Sequence, residues 1–113
     1  MIRVVLVEDN ALLRDGQVRL FDEFDDIEVV DAVGDREAAA TSVEAHEPTV
    51  VVTDIRMPPD HRDEGLQLAA WLTDHHPDIG VVVLSHHLEP DFAVRLLDRG
   101  SAGRAYLMKD RVG

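Results

Sequence analysis

Glu8 and Asp9, Asp54, Ser85 and Lys109 each stand at the end of a separate apolar run, so four distant segments could deliver three carboxylates, a hydroxyl and an amine to one place. Such a set suits a divalent cation, which takes hard oxygen ligands, together with a phosphoryl group, whose oxygens accept hydrogen bonds from hydroxyl and amine. The place would be the carboxyl edge of a parallel sheet. In open α/β sheets, ligands bind just beyond the strand C-termini, where the connections diverge to opposite faces.

The elements that must hold these residues follow from the apolar runs and their punctuation. Residues 2–7 are nearly unbroken and rich in β-branched side chains, the pattern of a strand buried on both faces. Asn10 can cap a helix running to about Phe24, with Leu13, Leu20, Phe21 and Phe24 spaced to cover one face. Residues 27–33 read as a second strand, interrupted by Glu28 and Asp31 as an edge strand would be, and Gly34 ends it. An Ala-rich helix over 36–46 is stopped by Pro48. A third strand over 49–53 ends on Asp54. Residues 55–65 contain Pro58, Pro59 and Gly65, lack a helical period and read as a loop. A helix over 66–75 is ended by Pro77, and a fourth strand over 79–84 ends on Ser85. A helix over 89–99 is closed by Gly100, and a fifth strand over 104–108 leads to Lys109. Strands alternating with helices in this way imply a parallel α/β sheet with right-handed crossovers.

With 113 residues the chain is one domain with a single core. Its net charge of −12 opposes any grip on phosphate backbones, so a nucleic-acid role must belong to another domain. No apolar run approaches the roughly 20 residues of a membrane helix, and the N-terminus enters a strand directly. The expectation is a cytoplasmic protein without membrane contact. The absence of cysteine excludes disulfides and thiol chemistry.

Taken together and in order, the acidic pair Glu8-Asp9, Asp54 within Asp54-Ile55-Arg56-Met57-Pro58, Ser85, Tyr106 and Lys109 resemble the receiver domains of two-component response regulators. The stretches Val7-Glu8-Asp9-Asn10 and Gly103 to Asp110 resemble the LuxR-type (NarL-like) subfamily, in which a helix-turn-helix DNA-binding domain follows the receiver. The resemblance implies a flavodoxin-like fold, with strand order 2-1-3-4-5 and helices on both faces. It also implies a phosphoacceptor rather than a classical enzyme: Asp54 takes a phosphoryl group from a sensor histidine kinase in a Mg²⁺-dependent reaction. By the same resemblance Asp9, Asp54 and the Arg56 carbonyl ligate the ion, and Glu8 holds a coordinated water. Lys109 and Ser85 contact the phosphoryl oxygens. Ser85 and Tyr106 form the conformational switch, and DNA is reached only through a C-terminal domain outside this chain.

Each residue alone has a plainer reading: Glu8-Asp9 as a solvated strand end, Ser85 as a turn former, Lys109 as surface charge, Tyr106 as core packing. A receiver-like interaction module that no longer uses phosphate is the alternative function, and a Mg²⁺ phosphohydrolase is less favoured for want of a second general acid. The six histidines lack the i, i+4 spacing of a helical zinc site. Three features depart from the family pattern. The loop before Gly65 is about three residues long in excess; Asp110 stands where proline is common after the lysine; and His86 follows Ser85, where it would slow phosphate hydrolysis by narrowing access. Residues 110–113 leave no room for a fifth helix, so the chain is expected to be a fragment whose apolar surface beside Leu13 and Leu20 favours a homodimer.

Overall fold

The computed structural model describes residues 1–54, 63–85 and 104–108, with 85 and 104–108 described as backbone. In chain order the elements are β1 (Ile2–Val7), α1 (Ala11–Asp22), β2 (Ile27–Val33), α2 (Arg36–His46), β3 (Val50–Asp54), α3 (Glu64–His75), β4 (Gly80–Ser85) and β5 (Arg104–Met108). The helix expected over 89–99 lies outside the described residues.

All five strands run parallel in the order β2-β1-β3-β4-β5. The order is the expected one, and β2, with its Glu28 and Asp31, is an edge. Asp31 does more than meet solvent there, because its Oδ2 accepts a 2.6 Å hydrogen bond from the Ser42 hydroxyl of α2.

Alternation along β1 explains why its apolar run is unbroken. Val5 and Val7 join one core with Val51, Val81 and Val83 under α2 and α3, where Ala39, Val43, Leu68, Ala69 and Leu72 close the layer. Val4 and Leu6 face the other way, joining Val52 and Leu84, and α1 packs over the β1 and β2 part of that face. Strand residues on both faces of the sheet are therefore buried, as in a parallel sheet.

Helix ends follow cap chemistry. The Asn10 side chain accepts from the Leu13 N–H at 3.0 Å, and Asp35 Oδ1 accepts from the Ala38 N–H at 2.7 Å. The C-terminal end of α2 is made by Glu47 in the left-handed region at φ 46°, with its N–H donating to the Val43 carbonyl. Helix α3 starts at Glu64, two residues before the expected start. Asp63 is the reason: its carbonyl accepts from the Leu66 and Gln67 N–H groups, and its Oδ1 takes a bond from Gln67 Nε2.

The inward face of α1 differs from the expected one. The helix ends at Asp22, with Glu23 as cap, and Phe24 lies beyond it. Leu13, Leu20 and Phe24 are exposed, and the residues that meet the sheet are Val18 and Phe21. The physical reason lies above them, at Arg14 and Gln17, which share that inward stripe and are drawn to Glu8. No helix among the described residues is long and apolar enough to cross a membrane.

Candidate functional site

Strand register aligns four strand ends along one edge. Val7 of β1 pairs with Thr53 of β3, and Thr53 with Val83 of β4. Val83 in turn pairs with Tyr106 of β5. One step further along, Asp54 lies opposite Leu84, and then Ser85 opposite Met108. Glu8 and Asp9 follow directly from Val7. The acidic pair, Asp54 and Ser85 therefore reach the same edge because their strands are parallel and unshifted there, which is the geometry that creates a binding crevice in such sheets.

At this edge the side chains of Glu8, Asp9 and Asp54 converge. One ligand oxygen from each lies within 4.8 Å of the others. Glu8 and Asp54 are buried, at 2% and 8% exposure, and Asp9 is half-buried. Three carboxylates this close repel when all are ionised, and a shared cation removes that repulsion. The donor chemistry, hard oxygens on partly buried acids, fits Mg²⁺, which needs only one or two direct carboxylates and keeps several waters. The next residue down β3, Thr53, is fully buried and satisfies its hydroxyl on the Asp54 carbonyl at 2.9 Å.

Helix α1 contributes the frame around Glu8. The Asn10 N–H donates to Glu8 Oε2 at 3.3 Å, Gln17 Nε2 to Glu8 Oε1 at 3.4 Å, and Arg14 Nη1 to the Glu8 carbonyl at 2.9 Å. Positions 10, 14 and 17 recur at helical spacing, so one face of α1 brings all three groups down onto one residue. Arg14 reaches its carbonyl past Gly34, where an added Cβ would stand 3.1 Å from Arg14 Nη1. A side chain at 34 would displace the guanidinium. Arg14 and Gln17 were not among the residues expected from sequence to serve the site. Their signal was there: polar side chains occupy positions of the α1 stripe whose continuation, Val18 and Phe21, is apolar.

Of the other expected site residues, Ser85 and Tyr106 have the expected backbone positions, at the end of β4 and within β5. Arg56, Lys109, His86 and the Lys109-Asp110 bond lie outside the described residues. The described histidines all have protein partners: His76 Nε2 meets Glu44 Oε1 at 3.1 Å, His46 Nε2 meets Asp31 Oδ2 at 3.7 Å, and His75 Nδ1 meets the Trp71 carbonyl at 3.0 Å. Among the described residues the acidic trio is the one cluster suited to a metal ion.

Residues 4–111 match the family model described as response regulator receiver domain. The response regulator GacA of Pseudomonas protegens is 37% identical over 109 residues, covering 96% of this chain and 49% of that protein. Among solved structures, the signal receiver domain assigned to NarL of Mycobacterium tuberculosis superposes with a TM-score of 0.84 at 34% identity, over 96% of this chain and 84% of the other. A DNA-binding response regulator of the LuxR family from Staphylococcus aureus gives 0.85 at 25% identity, over 98% and 88%. The chain spans about half the length of the curated relatives it matches, 44% of one and 49% of another.

Proposed function

This chain belongs to the response regulator receiver domain family, and from that premise we propose that Asp54 accepts a phosphoryl group from a sensor histidine kinase in a Mg²⁺-dependent reaction. The domain is a two-component receiver related to DNA-binding LuxR-type regulators. The phosphorylated state would control a DNA-binding domain elsewhere in a longer cytoplasmic protein, and the regulator would work as a homodimer. The observation that carries this reading is the meeting of Glu8, Asp9 and Asp54 oxygens within 4.8 Å at the carboxyl edge of the sheet.

The chemistry follows from the residue types. A carboxylate oxygen of Asp54 attacks phosphorus; a P–O bond forms as the P–N bond of a phosphohistidine breaks, and the imidazole leaves with the electron pair. Bound Mg²⁺ would supply the positive charge that lets an anionic nucleophile approach an anionic phosphoryl group. Asp9 and Asp54 would hold it directly with the Arg56 carbonyl, and Glu8 through a water. Burial of Asp54 in a low-dielectric strand end limits competing water and strengthens each charge interaction around the transferring group. Lys109 and the Ser85 hydroxyl would take the phosphoryl oxygens. Movement of Ser85 toward them, followed by Tyr106, would carry the change to the β4–β5 surface, a two-state packing equilibrium biased by a covalent charge.

Incubation with Mg²⁺ and a small phosphodonor such as acetyl phosphate tests the reading by mass spectrometry. One phosphoryl group should be gained, chelation of the metal should prevent the gain, and Asp54→Asn should abolish it. A parent chain that gains nothing under these conditions would favour a phosphate-independent interaction module instead.

A further inference from the structure

We propose that the amino edge of the sheet carries a second binding site, a cavity that takes a guanidinium group such as an arginine side chain bears. The cavity has a volume of about 350 Å³, near the lower end of the range for ligand sites. Glu47 and Pro48 line it from the turn after α2, and residues 75–79 line it from the end of α3 and the turn that follows. These two turns lead into β3 and β4, so the cavity sits at the ends of those strands opposite Asp54 and Ser85. Extended chain from residue 48 to residue 54 spans about 20 Å, which keeps an occupant clear of the acidic trio.

The polar groups of the lining are mostly acceptors. The backbone N–H groups of Glu47, His76 and Ile79 are already engaged by the carbonyls of Val43, Leu72 and His76, and Pro48 and Pro77 have none. The imidazole protons are engaged as well. His75 Nδ1 lies 3.0 Å from the Trp71 carbonyl, and His76 Nε2 lies 3.1 Å from Glu44 Oε1. A carbonyl and a carboxylate only accept, so in the neutral rings these nitrogens carry the hydrogens, and the nitrogen left on each ring is a lone-pair acceptor. Glu47 and Asp78 add two carboxylates, and among the described residues neither forms an ion pair. Such a lining, in a chain of net charge −12, repels anions and complements a cation that is all donors.

Size and spacing choose among cations. The cavity far exceeds the roughly 30 Å³ of one water, and its acceptors are not gathered as around a bare ion, since among the described residues only Glu8, Asp9 and Asp54 bring three ligand atoms within 4.8 Å of one another. An ammonium is a compact, strongly hydrated charge with three donors. A guanidinium spreads five donors over a planar fork and stacks on flat rings. His75 supplies such a ring, held against Trp71 with centroids 5.1 Å apart and planes at 22°. Glu47 is an independent sign, because it holds the left-handed conformation at φ 46° that glycine adopts without steric cost, and glycine would bring no carboxylate. Its carbonyl accepts from Arg3 Nη1 at 3.1 Å, so with its backbone engaged the side chain is the part left to serve a ligand.

N-acetyl-arginine methylamide, which carries the group in peptide-like form, is the probe. Titrated into the chain at neutral pH, it should bind with a dissociation constant on the order of 1 mM, the scale for a ligand of its size in an open site. Amide shifts should cluster at residues 46–49 and 75–80. The fluorescence of Trp71, the one tryptophan, should change because its ring meets both imidazoles, at 5.1 and 5.2 Å between centroids. N-acetyl-lysine methylamide should bind roughly fivefold more weakly. Glu47→Gln with Asp78→Asn should weaken the arginine probe roughly fivefold, while Asp15→Asn with Glu37→Gln, the same change in net charge at a distance, should leave it within about twofold. All four positions are exposed, so the variants should fold; should the first pair not, Asp78→Asn against Asp15→Asn repeats the comparison, with a loss of about twofold expected. Free arginine, which brings a carboxylate of its own, identifies the source: weaker binding than the capped form assigns the site to an arginine of a polypeptide, tighter binding to a small molecule, and either supports the site. Equal binding of the lysine probe, equal losses in the two pairs of substitutions, shifts scattered over the acidic surface, or no response at tens of millimolar overturns the inference.

Discussion

The two faces of the sheet are built differently. Under α2 and α3 the contact is closed from both sides: Val5, Val7, Val51, Val81 and Val83 of the strands are buried, and so are Ala39, Val43, Leu66, Leu68, Ala69 and Leu72 above them. On the α1 side of the sheet the strand residues Val4, Leu6, Val52 and Leu84 are buried, yet α1 itself has no fully buried residue. It rests on Val18 and Phe21 and spends the rest of its inward stripe on polar contacts to Glu8. One face therefore supplies the stability of the scaffold. The other holds the site, with the looser packing expected where an element must respond to a ligand.

The largest expected effect breaks the scaffold face. Leu72 is fully buried in α3, and Leu72→Ala should cost about 2–5 kcal/mol, the range for a large-to-small change in a closed core. Phe21→Ala on the α1 face should cost less, about 1–2 kcal/mol, because the ring is only half-buried and its neighbourhood can relax. Urea unfolding of the two variants side by side checks the order. A Phe21→Ala loss equal to that of Leu72→Ala would mean that the faces are energetically alike, whatever their burial.

A change of opposite sign is expected at the site. The Glu8, Asp9 and Asp54 oxygens lie within 4.8 Å of one another, and like charges at such a distance work against folding. Asp9→Asn should raise cation-free stability by an amount on the order of 1 kcal/mol. The same change should remove the stabilisation expected of millimolar Mg²⁺ in the parent, since a ligand that binds only the folded state stabilises it more the tighter it binds. Thermal melts with and without Mg²⁺ measure both halves. Stability lost in the absence of the ion would show that Asp9 is bound into the scaffold rather than held at the expense of it.

The contrast between the faces also marks what a single sequence discloses. Strands were readable because a strand buried on both sides is a short β-branched run with a sharp end, and Asp54 and Ser85 are such ends. The edge position of β2 was readable from Glu28 and Asp31. Helix α2 was bounded correctly because an Ala-rich run meets Pro48, and the Asp35 cap at its start emerges with the structure. The orientation of α1 was not, because Leu13, Leu20 and Phe24 keep a helical period of their own beside that of Val18 and Phe21. Two apolar stripes compete on one helix, and local periodicity contains nothing to rank them. The sheet and Glu8 decide, through Arg14 and Gln17, and those contacts join residues whose partnership exists only after folding. The start of α3 was hidden for a related reason. Gly65 weakens the local helical pattern, and only the Asp63 cap and the burial of Glu64 and Gly65 reveal that the helix already covers them.

The sharpest separation of the two stripes is expected from the exposed one. Leu13 is 42% and Leu20 37% exposed, with Phe24 at 51%, so the two leucines are more open than Phe21 but still keep over half of their surface covered. Leu13→Ser combined with Leu20→Ser should lower the unfolding free energy by about 1–3 kcal/mol, from the half-covered apolar surface and the weaker helix propensity of serine. Leu13 and Leu20 on one flank of the helix, with Phe24 just beyond its end, are nonetheless a surface that water disfavours and a second copy can cover. Should the homodimer form through this flank, sedimentation velocity over a concentration series will show the parent associating and the double variant remaining monomeric while folded. Association that persists in the double variant would move the dimer contact off α1 and leave the exposed stripe without a role in pairing. The outcome bears on the comparison between the faces, because a dimer contact on α1 would stabilise the looser face only in the assembled state, and would couple assembly to the helix that grips Glu8.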